Sequence, residues 1–172
     1  APGAESFNTG IIILNDPGRI VSSGDVLLTG LRATAPAIYV YESSYTDPGL
    51  IAQTRDFITT NSAGADVLIT SSMLFSSPGE SADNDFIINT KAANGNITLQ
   101  GAIDGDWNNF VLKSGTGTIA TTASAPMTQV ATLVLQDNTG AAGSVTFDGN
   151  LFVDWIDTYP QNYSVSFLGT TS

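Results

Sequence analysis

The stretch Gly95-Asn-Ile-Thr-Leu-Gln-Gly101, followed by Asn109-Phe-Val-Leu-Lys113, decides the fold class of this chain. In the first piece apolar and polar residues alternate around the centre, as in a strand with one buried face, and the second piece is a short apolar run. Glycine flanks the first piece at both ends, where a compact residue lets the chain turn tightly. The stretch therefore predicts two short strands joined by a turn.

The same unit recurs along the chain, because four other segments have the form small or polar, apolar, variable, apolar, polar, small. These first strands are Gly24-Asp-Val-Leu-Leu-Thr-Gly30, Ala65-Asp-Val-Leu-Ile-Thr-Ser71, Gly117-Thr-Ile-Ala-Thr-Thr-Ala123 and Gly143-Ser-Val-Thr-Phe-Asp-Gly149. The predicted second strands are Ala37-Ile-Tyr-Val-Tyr-Glu42, Asp85-Phe-Ile-Ile-Asn-Thr90, Thr132-Leu-Val-Leu-Gln136 and Tyr163-Ser-Val-Ser-Phe167. The first strands begin at residues 24, 65, 95, 117 and 143, which are 41, 30, 22 and 26 residues apart. The shorter spacings fit one coil of a β-helix.

Aligning the units produces four columns of inward-facing residues, almost all of them apolar. The first strands contribute Val26, Val67, Ile97, Ile119, Val145 and then Leu28, Ile69, Leu99, Thr121, Phe147. The second strands contribute Ile38, Phe86, Phe110, Leu133, Tyr163 and then Val40, Ile88, Leu112, Leu135, Val165. Coils that stack in register require such columns, whereas a sandwich need not repeat the order of its positions. We therefore predict an all-β, right-handed parallel β-solenoid, with an antiparallel β-sandwich as the alternative.

Two stretches interrupt the repeats of what we predict to be a single domain over residues 1–172. The first is an insertion at about 44–64, where Pro48 stands at a possible helix start. Apolar or small residues follow at helix-like spacing, which predicts either a short helix or an extra side of the coil; they are Leu50, Ile51, Thr54, Phe57 and Ile58. The second insertion, at about 76–84, is polar and rich in turn residues, which predicts a projecting loop.

Composition excludes several classes of function. The 172 residues carry a net charge of −11, so that the chain is poorly suited to bind nucleic acid. There is no histidine and no cysteine, which excludes Ser–His–Asp and Cys–His catalysis as well as Cys/His zinc sites. The apolar runs are too short to span a membrane. Few lysines, no cysteine and many Thr, Ser and Asn residues predict a secreted or cell-surface protein.

The repeats resemble a known family. Asn94-Gly-Asn-Ile-Thr-Leu-Gln-Gly-Ala-Ile-Asp-Gly105, Ser23-Gly-Asp-Val-Leu-Leu-Thr-Gly30 and Ala65-Asp-Val-Leu-Ile-Thr-Ser-Ser72 are similar to coils of filamentous-haemagglutinin-like exoproteins. The resemblance covers about residues 10–44 and 65–169. It implies a secreted bacterial β-helix with a rod shape and a role in surface attachment. It carries no catalytic motif, and the insertion at 44–64 departs from the most regular coils.

One candidate ligand site combines aromatic and acidic residues. The segments Asp104-Gly-Asp-Trp107 and Asp154-Trp-Ile-Asp-Thr-Tyr159 are predicted to occupy the same turn in the third and fifth repeats. Aromatic rings stack on sugars and carboxylates accept hydrogen bonds from hydroxyl groups, which predicts a glycan-binding edge. Its residues would be Trp107, Trp155, Tyr159, Asp104, Asp106, Asp154 and Asp157. The alternative is that each tryptophan seals a corner of the core while the acids stay in water.

These aspartates are also the only candidates for the two catalytic carboxylates of a glycosidase. Such an enzyme would need two of them roughly 5–9 Å apart. Asp and Asn oxygens at these turns, or at Asp83-Asn-Asp85, suit calcium, but no EF-hand or G-G-x-G-x-D spacing is present. We therefore predict no catalytic residues and no cofactor, with calcium as the one cation that the residue types would suit.

The function expected from the sequence is that of a non-catalytic extracellular structural or adhesive segment, or of a self-associating fibre subunit. The predicted last coil holds Tyr163, Val165 and Phe167, with only residues 168–172 to cover them, which predicts docking of another copy or of further solenoid repeats. The alternative is a carbohydrate-binding or carbohydrate-cleaving β-helix. A predicted outward apolar column is either a partner-binding stripe or a surface beneath the 44–64 insertion; it contains Tyr39, Ile87, Val111 and Val134.

Overall fold

The structure is a computed structural model that describes residues 5–9, 12–15, 20–30, 38–41, 54–76, 85–136, 142–158 and 162–171. The described residues form sixteen β-strands and no helix. In chain order the strands are β1 (Glu5–Thr9), β2 (Ile12–Asn15), β3 (Ile20–Ser22), β4 (Val26–Gly30), β5 (Ile38–Tyr41), β6 (Thr54–Thr60), β7 (Val67–Ile69), β8 (Met73–Ser76), β9 (Asp85–Asn89), β10 (Ile97–Leu99), β11 (Ile103–Lys113), β12 (Ile119–Thr121), β13 (Met127–Leu135), β14 (Ala142–Phe147), β15 (Leu151–Thr158) and β16 (Asn162–Phe167).

The strands form two parallel sheets. Sheet A has the order β1-β4-β7-β10-β12-β14-β16, so that each coil contributes one strand to it. Sheet B has the order β2-β5-β8-β11-β9-β6-β3, with β13 paired to β11 and β15 paired to β13. Every strand pair is parallel, which confirms the predicted solenoid and excludes the antiparallel sandwich.

Sheet B has two sides that meet at a corner. The strand β11 pairs with β8 through Ile103 and Asp104, and with β9 through Asn109–Lys113. In the earlier coils these two sides are separate strands, while β11, β13 and β15 each continue round the corner. Each coil thus has three sides, one in sheet A and two in sheet B.

The two columns predicted for the first strands are confirmed in sheet A. Ile97 pairs with Val67 and Ile119, and Leu99 pairs with Ile69 and Thr121. All ten residues of these columns are buried, and the nine apolar ones belong to one continuous apolar core. Three strands of sheet A, namely β7, β10 and β12, are only three residues long. In each of them the first and third side chains point inward and the second points outward.

The columns predicted for the second strands are correct only in the middle of the chain. Phe86, Phe110 and Leu133 share one column, as predicted, but Ile38 pairs with Met73 on the other side of sheet B. Val165 pairs with Val145, so that the segment predicted as the last second strand is a further strand of sheet A. Both errors have one cause, since the prediction assigned two sides to a coil that has three.

The insertions are resolved in part. Residues 54–60 form β6, which is the extra side of the coil, and the helix predicted as the alternative is absent from this described segment. Phe57 and Ile58 are both buried because the register shifts between Asp56 and Ile58, and this bulge explains their helix-like spacing. The predicted helix start at Pro48 and the loop at 77–84 lie outside the described residues.

Of the two alternatives for the predicted outward column, the structure favours a covered surface over an open partner-binding stripe. Ile87 and Val111 share one register position on the second side of sheet B, and both are buried although they are not part of the core cluster. Val134 continues this position and is half-buried. Tyr39 lies in β5, on the first side of the sheet. The buried state of Ile87 and Val111 means that they are covered within the chain.

Candidate functional site

The first half of the candidate edge lies in a bulge of β11. Asp104 pairs with Thr128, and Asn108 pairs with Val130, so β11 takes four steps where β13 takes two. Within the bulge Asp106 and Trp107 have φ values of 45° and 60°, a left-handed conformation that is rare for such side chains. The Asp106 backbone N–H donates to Asp104 Oδ1 over 3.2 Å. The result is a loop of two extra residues that projects Trp107, which is 50% exposed.

A buried asparagine holds this bulge in place. The Asn108 side chain is almost fully buried, and its Nδ2 donates to the carbonyl oxygens of Gly105 and Asp106 over 2.9 and 3.0 Å. Gly105 is packed against the next coil, since a Cβ at this position would lie 2.6 Å from the backbone oxygen of Gln129. The loop is thus braced from inside by Asn108 and from the side by the neighbouring strand.

The second half of the edge lies in β15, two coils further along. Trp155 pairs with Thr132 and is 73% exposed, while Asp157 pairs with Val134 and is exposed as well. Asp154 is exposed beside Trp155. Tyr159 lies outside the described residues.

The prediction that the two tryptophans occupy the same turn is wrong. Asn108, Val130 and Val153 pair in one row, which we call the corner column. Trp107 comes one residue before this column, whereas Trp155 comes two residues after it. The bulges in β11 and β13 shift the register, so that equal spacing in the sequence does not give equal position in the sheet.

The structure instead gives equivalent backbone positions to a different set of residues, which sequence reasoning missed. Trp107, Gln129 and Phe152 each directly precede a member of the corner column, and all three are exposed. We call this set the aromatic column. Phe152 was missed because the segment Leu151-Phe-Val153 was not recognised as a strand, although its apolar run was the available signal.

The acidic residues are divided between the two halves of the edge. Asp104 and Asp106 lie two coils away from Asp154 and Asp157, a stacking distance of roughly 10 Å. Among the described residues there is no group of three or more His, Cys, Asp and Glu side chains placed to hold a metal ion. At the other calcium candidate, Asp85 Oδ1 accepts a hydrogen bond from Asn109 Nδ2 over 2.9 Å, while residues 83 and 84 lie outside the described ranges.

A second surface is the C-terminal end of the solenoid, which we call the terminal coil (residues 151–158 and 162–171). Of the six exposed large hydrophobic side chains in the described structure, four are in this coil. They are Phe152, Trp155, Phe167 and Leu168. The terminal coil thus concentrates the exposed apolar surface of the described residues.

Comparison with known proteins identifies no relative. No family model matches the chain, and neither a curated protein nor a solved structure is similar to it. In the ranges that the structure describes, no helix has the length and apolar character needed to cross a membrane. The geometry of the two surfaces is therefore the basis for assigning a function.

Proposed function

We propose that this chain is a non-catalytic structural or adhesive β-solenoid of the bacterial cell exterior, and that its terminal coil joins a second copy of the chain. The extracellular assignment is supported by the composition and by the likeness of the repeats to haemagglutinin-like coils. Fractionation of the source cells with an antibody against the chain tests this part. Recovery of the protein in the cytoplasmic fraction alone would overturn the assignment.

The observation that carries the proposal is the loss of burial along the core columns. Val145 and Phe147 are fully buried in the two columns of sheet A. Val165 continues the first column and is half-buried, while Phe167 continues the second column and is 41% exposed. Leu168, next to them, is 67% exposed. Apolar surface of this kind is stabilised by transfer out of water at about 25 cal/mol per Å². The terminal coil therefore has the side-chain character of a core that lacks its next layer.

The backbone of the terminal coil is also open to pairing. In the described structure β16 pairs through one edge only, with β14. Beyond β15 there is a single bridge, between Leu151 and Thr171, in which the Leu151 N–H donates to the Thr170 carbonyl oxygen over 2.8 Å. An unpaired edge of a flat sheet is a template for a strand of another chain.

The position of this surface decides the orientation of the two copies. Each copy carries one terminal coil, so both copies cover their exposed apolar side chains only when the two coils pack against each other. We therefore expect two terminal coils to meet about a two-fold axis, which gives a closed dimer rather than an open fibre.

Sedimentation velocity over a range of concentrations tests this proposal. We expect a monomer–dimer equilibrium in the unmodified protein, and Leu168→Glu should weaken it by at least about tenfold because like charges then meet at the interface. The matched control is Thr146→Glu, on the outer face of sheet A, which should leave the equilibrium unchanged. A protein that stays monomeric at all concentrations would refute the proposal, and species that grow beyond the dimer would refute the two-fold arrangement.

A further inference from the structure

The aromatic column is a continuous exposed row on sheet B. Trp107 is 50% exposed, Phe152 is 44% exposed, and the exposed Gln129 lies between them in the stack. Successive coils are about 4.8 Å apart, so the backbone positions of Trp107 and Phe152 are separated by roughly 10 Å. The row therefore presents two apolar ring surfaces with an amide group between them.

The backbone strain at Trp107 is not required by the fold. In β13 the same corner contains one left-handed residue, Gln129, with a φ of 53°. Among the described residues of β15, none at this corner is left-handed. In β11 two consecutive residues adopt this conformation, and one of them is a tryptophan. A left-handed conformation is unfavourable for an L-residue, and strained residues of this kind cluster at functional sites.

The strained loop is also rigidly supported. The Asn108 side-chain amide donates to the carbonyl oxygens of Gly105 and Asp106, the two residues that precede Trp107. Because the support is buried, Trp107 is held in its exposed position before any ligand arrives. Such preorganisation raises affinity by reducing the ordering that binding requires.

The chemistry of the row selects the class of ligand. Rings separated by a hydrogen-bonding amide match a chain of sugars, whose apolar faces stack on aromatic rings while their hydroxyl groups bond to polar side chains. The exposed carboxylate of Asp106 beside the row adds an acceptor for hydroxyl groups. The net charge of −11 opposes binding of phosphate-rich or otherwise anionic polymers. From these observations we infer that the aromatic column is a binding site for a neutral glycan chain, and that Asn108 is its positioning residue.

This site differs from the edge expected from the sequence, since it contains Gln129 and Phe152 and excludes Trp155. The difference provides a matched control, because Trp107 and Trp155 are both exposed tryptophans of sheet B. In the full chain with Trp155→Phe, Trp107 is the single tryptophan and reports binding by its fluorescence. Trp107 and Gln129 lie outside the terminal coil, whereas Phe152 lies within it. Glycan binding is therefore measured at a concentration at which sedimentation velocity shows a monomer.

The experiment titrates this variant and the unmodified chain with four neutral hexasaccharides, namely cellohexaose, xylohexaose, mannohexaose and chitohexaose. We expect a saturable change in Trp107 emission with at least one of them, and a Kd that Trp155→Phe and Trp155→Ala leave unchanged. Trp107→Ala should abolish binding in isothermal titration calorimetry, and Phe152→Ala and Gln129→Ala should each weaken it by about tenfold.

The role of Asn108 has its own measurement. In the Trp155→Phe background, Asn108→Ala should lower the fluorescence anisotropy of Trp107, which reports motion of the ring. The same variant should weaken glycan binding by about tenfold. Both measurements are made at a temperature at which circular dichroism shows a folded chain. Unchanged anisotropy would overturn the positioning role. Absence of binding to all four glycans, or loss of binding in Trp155→Ala equal to that in Trp107→Ala, would overturn the site.

Discussion

Sheet A and the corner of sheet B are built by the same coils, but they differ in regularity. From β4 to β16 the strands of sheet A pair without any register shift. At the corner of sheet B, shifts occur between Asp104 and Asn108, between Asn108 and Phe110, and between Met127 and Val130. Three of the five non-glycine residues with positive φ in the described structure lie at this corner, and they are Asp106, Trp107 and Gln129.

This difference shows where the solenoid accommodates coils of unequal length. The segment that connects the two sides of sheet B comprises residues 42–53 in one coil and residues 77–84 in the next. In the following coil β11 is continuous, and a bulge takes the place of this segment. The columns of sheet A stay in register because the extra residues are placed elsewhere. A corner can vary without loss of the core, which makes it the part of the molecule where a binding surface can arise at low cost in stability.

The largest expected effect comes from a change in the regular sheet. Leu99 is fully buried in the second column of sheet A, so Leu99→Ala should lower the free energy of unfolding by about 2–5 kcal/mol through lost burial and the cavity that remains. The control is Thr98→Ala on the outer face of the same strand, which should change it by no more than about 0.5 kcal/mol. Urea denaturation followed by circular dichroism measures both. Equal effects for the two variants would contradict the inward and outward assignment of β10.

A smaller effect is expected from the brace of the corner. Asn108→Ala removes two hydrogen bonds to carbonyl groups, one of them buried, and should lower the free energy of unfolding by about 1–3 kcal/mol. Asn109→Ala is the neighbouring control, since its side chain is half-buried and donates to Asp85; a loss of about 1 kcal/mol or less is expected there. The same denaturation measurement ranks the two. A larger loss for Asn109→Ala would show that the corner is not braced by Asn108.

The smallest effect is expected at the strained tryptophan. Trp107→Gly relieves the left-handed strain of about 1–2 kcal/mol but gives up about 0.5–1 kcal/mol to the greater freedom of glycine in the unfolded chain. The stability should therefore stay constant or rise by up to about 1.5 kcal/mol. Thermal unfolding measured with Trp107→Ala as the comparison tests this, because alanine keeps the strain. A clear loss of stability in both variants would mean that the indole ring supports the fold.

The sequence allowed the regular part of the fold to be predicted because its signal there is local. A short strand between small or polar corner residues can bury only its two apolar side chains, which are separated by one residue. Val26, Val67 and Ile97 are the first of these two side chains in successive strands of sheet A. The second side of sheet B was predicted for the same reason at Phe86, Phe110 and Leu133. Alternation of period two, repeated in register, is sufficient to define such columns.

The rest of the fold was hidden because each coil has a third side with a weak signal. The segment Met73-Leu-Phe75 alternates only once, and Phe57 and Ile58 are adjacent residues that a bulge turns to the same side. Tyr163 was assigned to the wrong sheet because Leu151–Thr158, which fills both sides of sheet B in that coil, was not recognised as a strand.

For the candidate site, the residue types were visible in the sequence but their arrangement was not. The tryptophans and aspartates of the two segments stand out, yet register shifts of one or two residues decide which of them are neighbours. Such shifts depend on long-range packing, for example of Gly105 against the backbone of Gln129. A register that two neighbouring coils determine together cannot be read from either coil alone.

The amino-acid sequence by itself determined that this protein is an acidic parallel β-solenoid with the columns of sheet A, since alternation and corner residues act within a few residues of one another. Only the tertiary structure decided that each coil has three sides, that Trp107 and Phe152 rather than Trp155 directly precede the corner column, and that β16 is a strand of sheet A. The physical reason is that side-chain direction along a strand is a local property, whereas register and coverage depend on which strands lie next to each other.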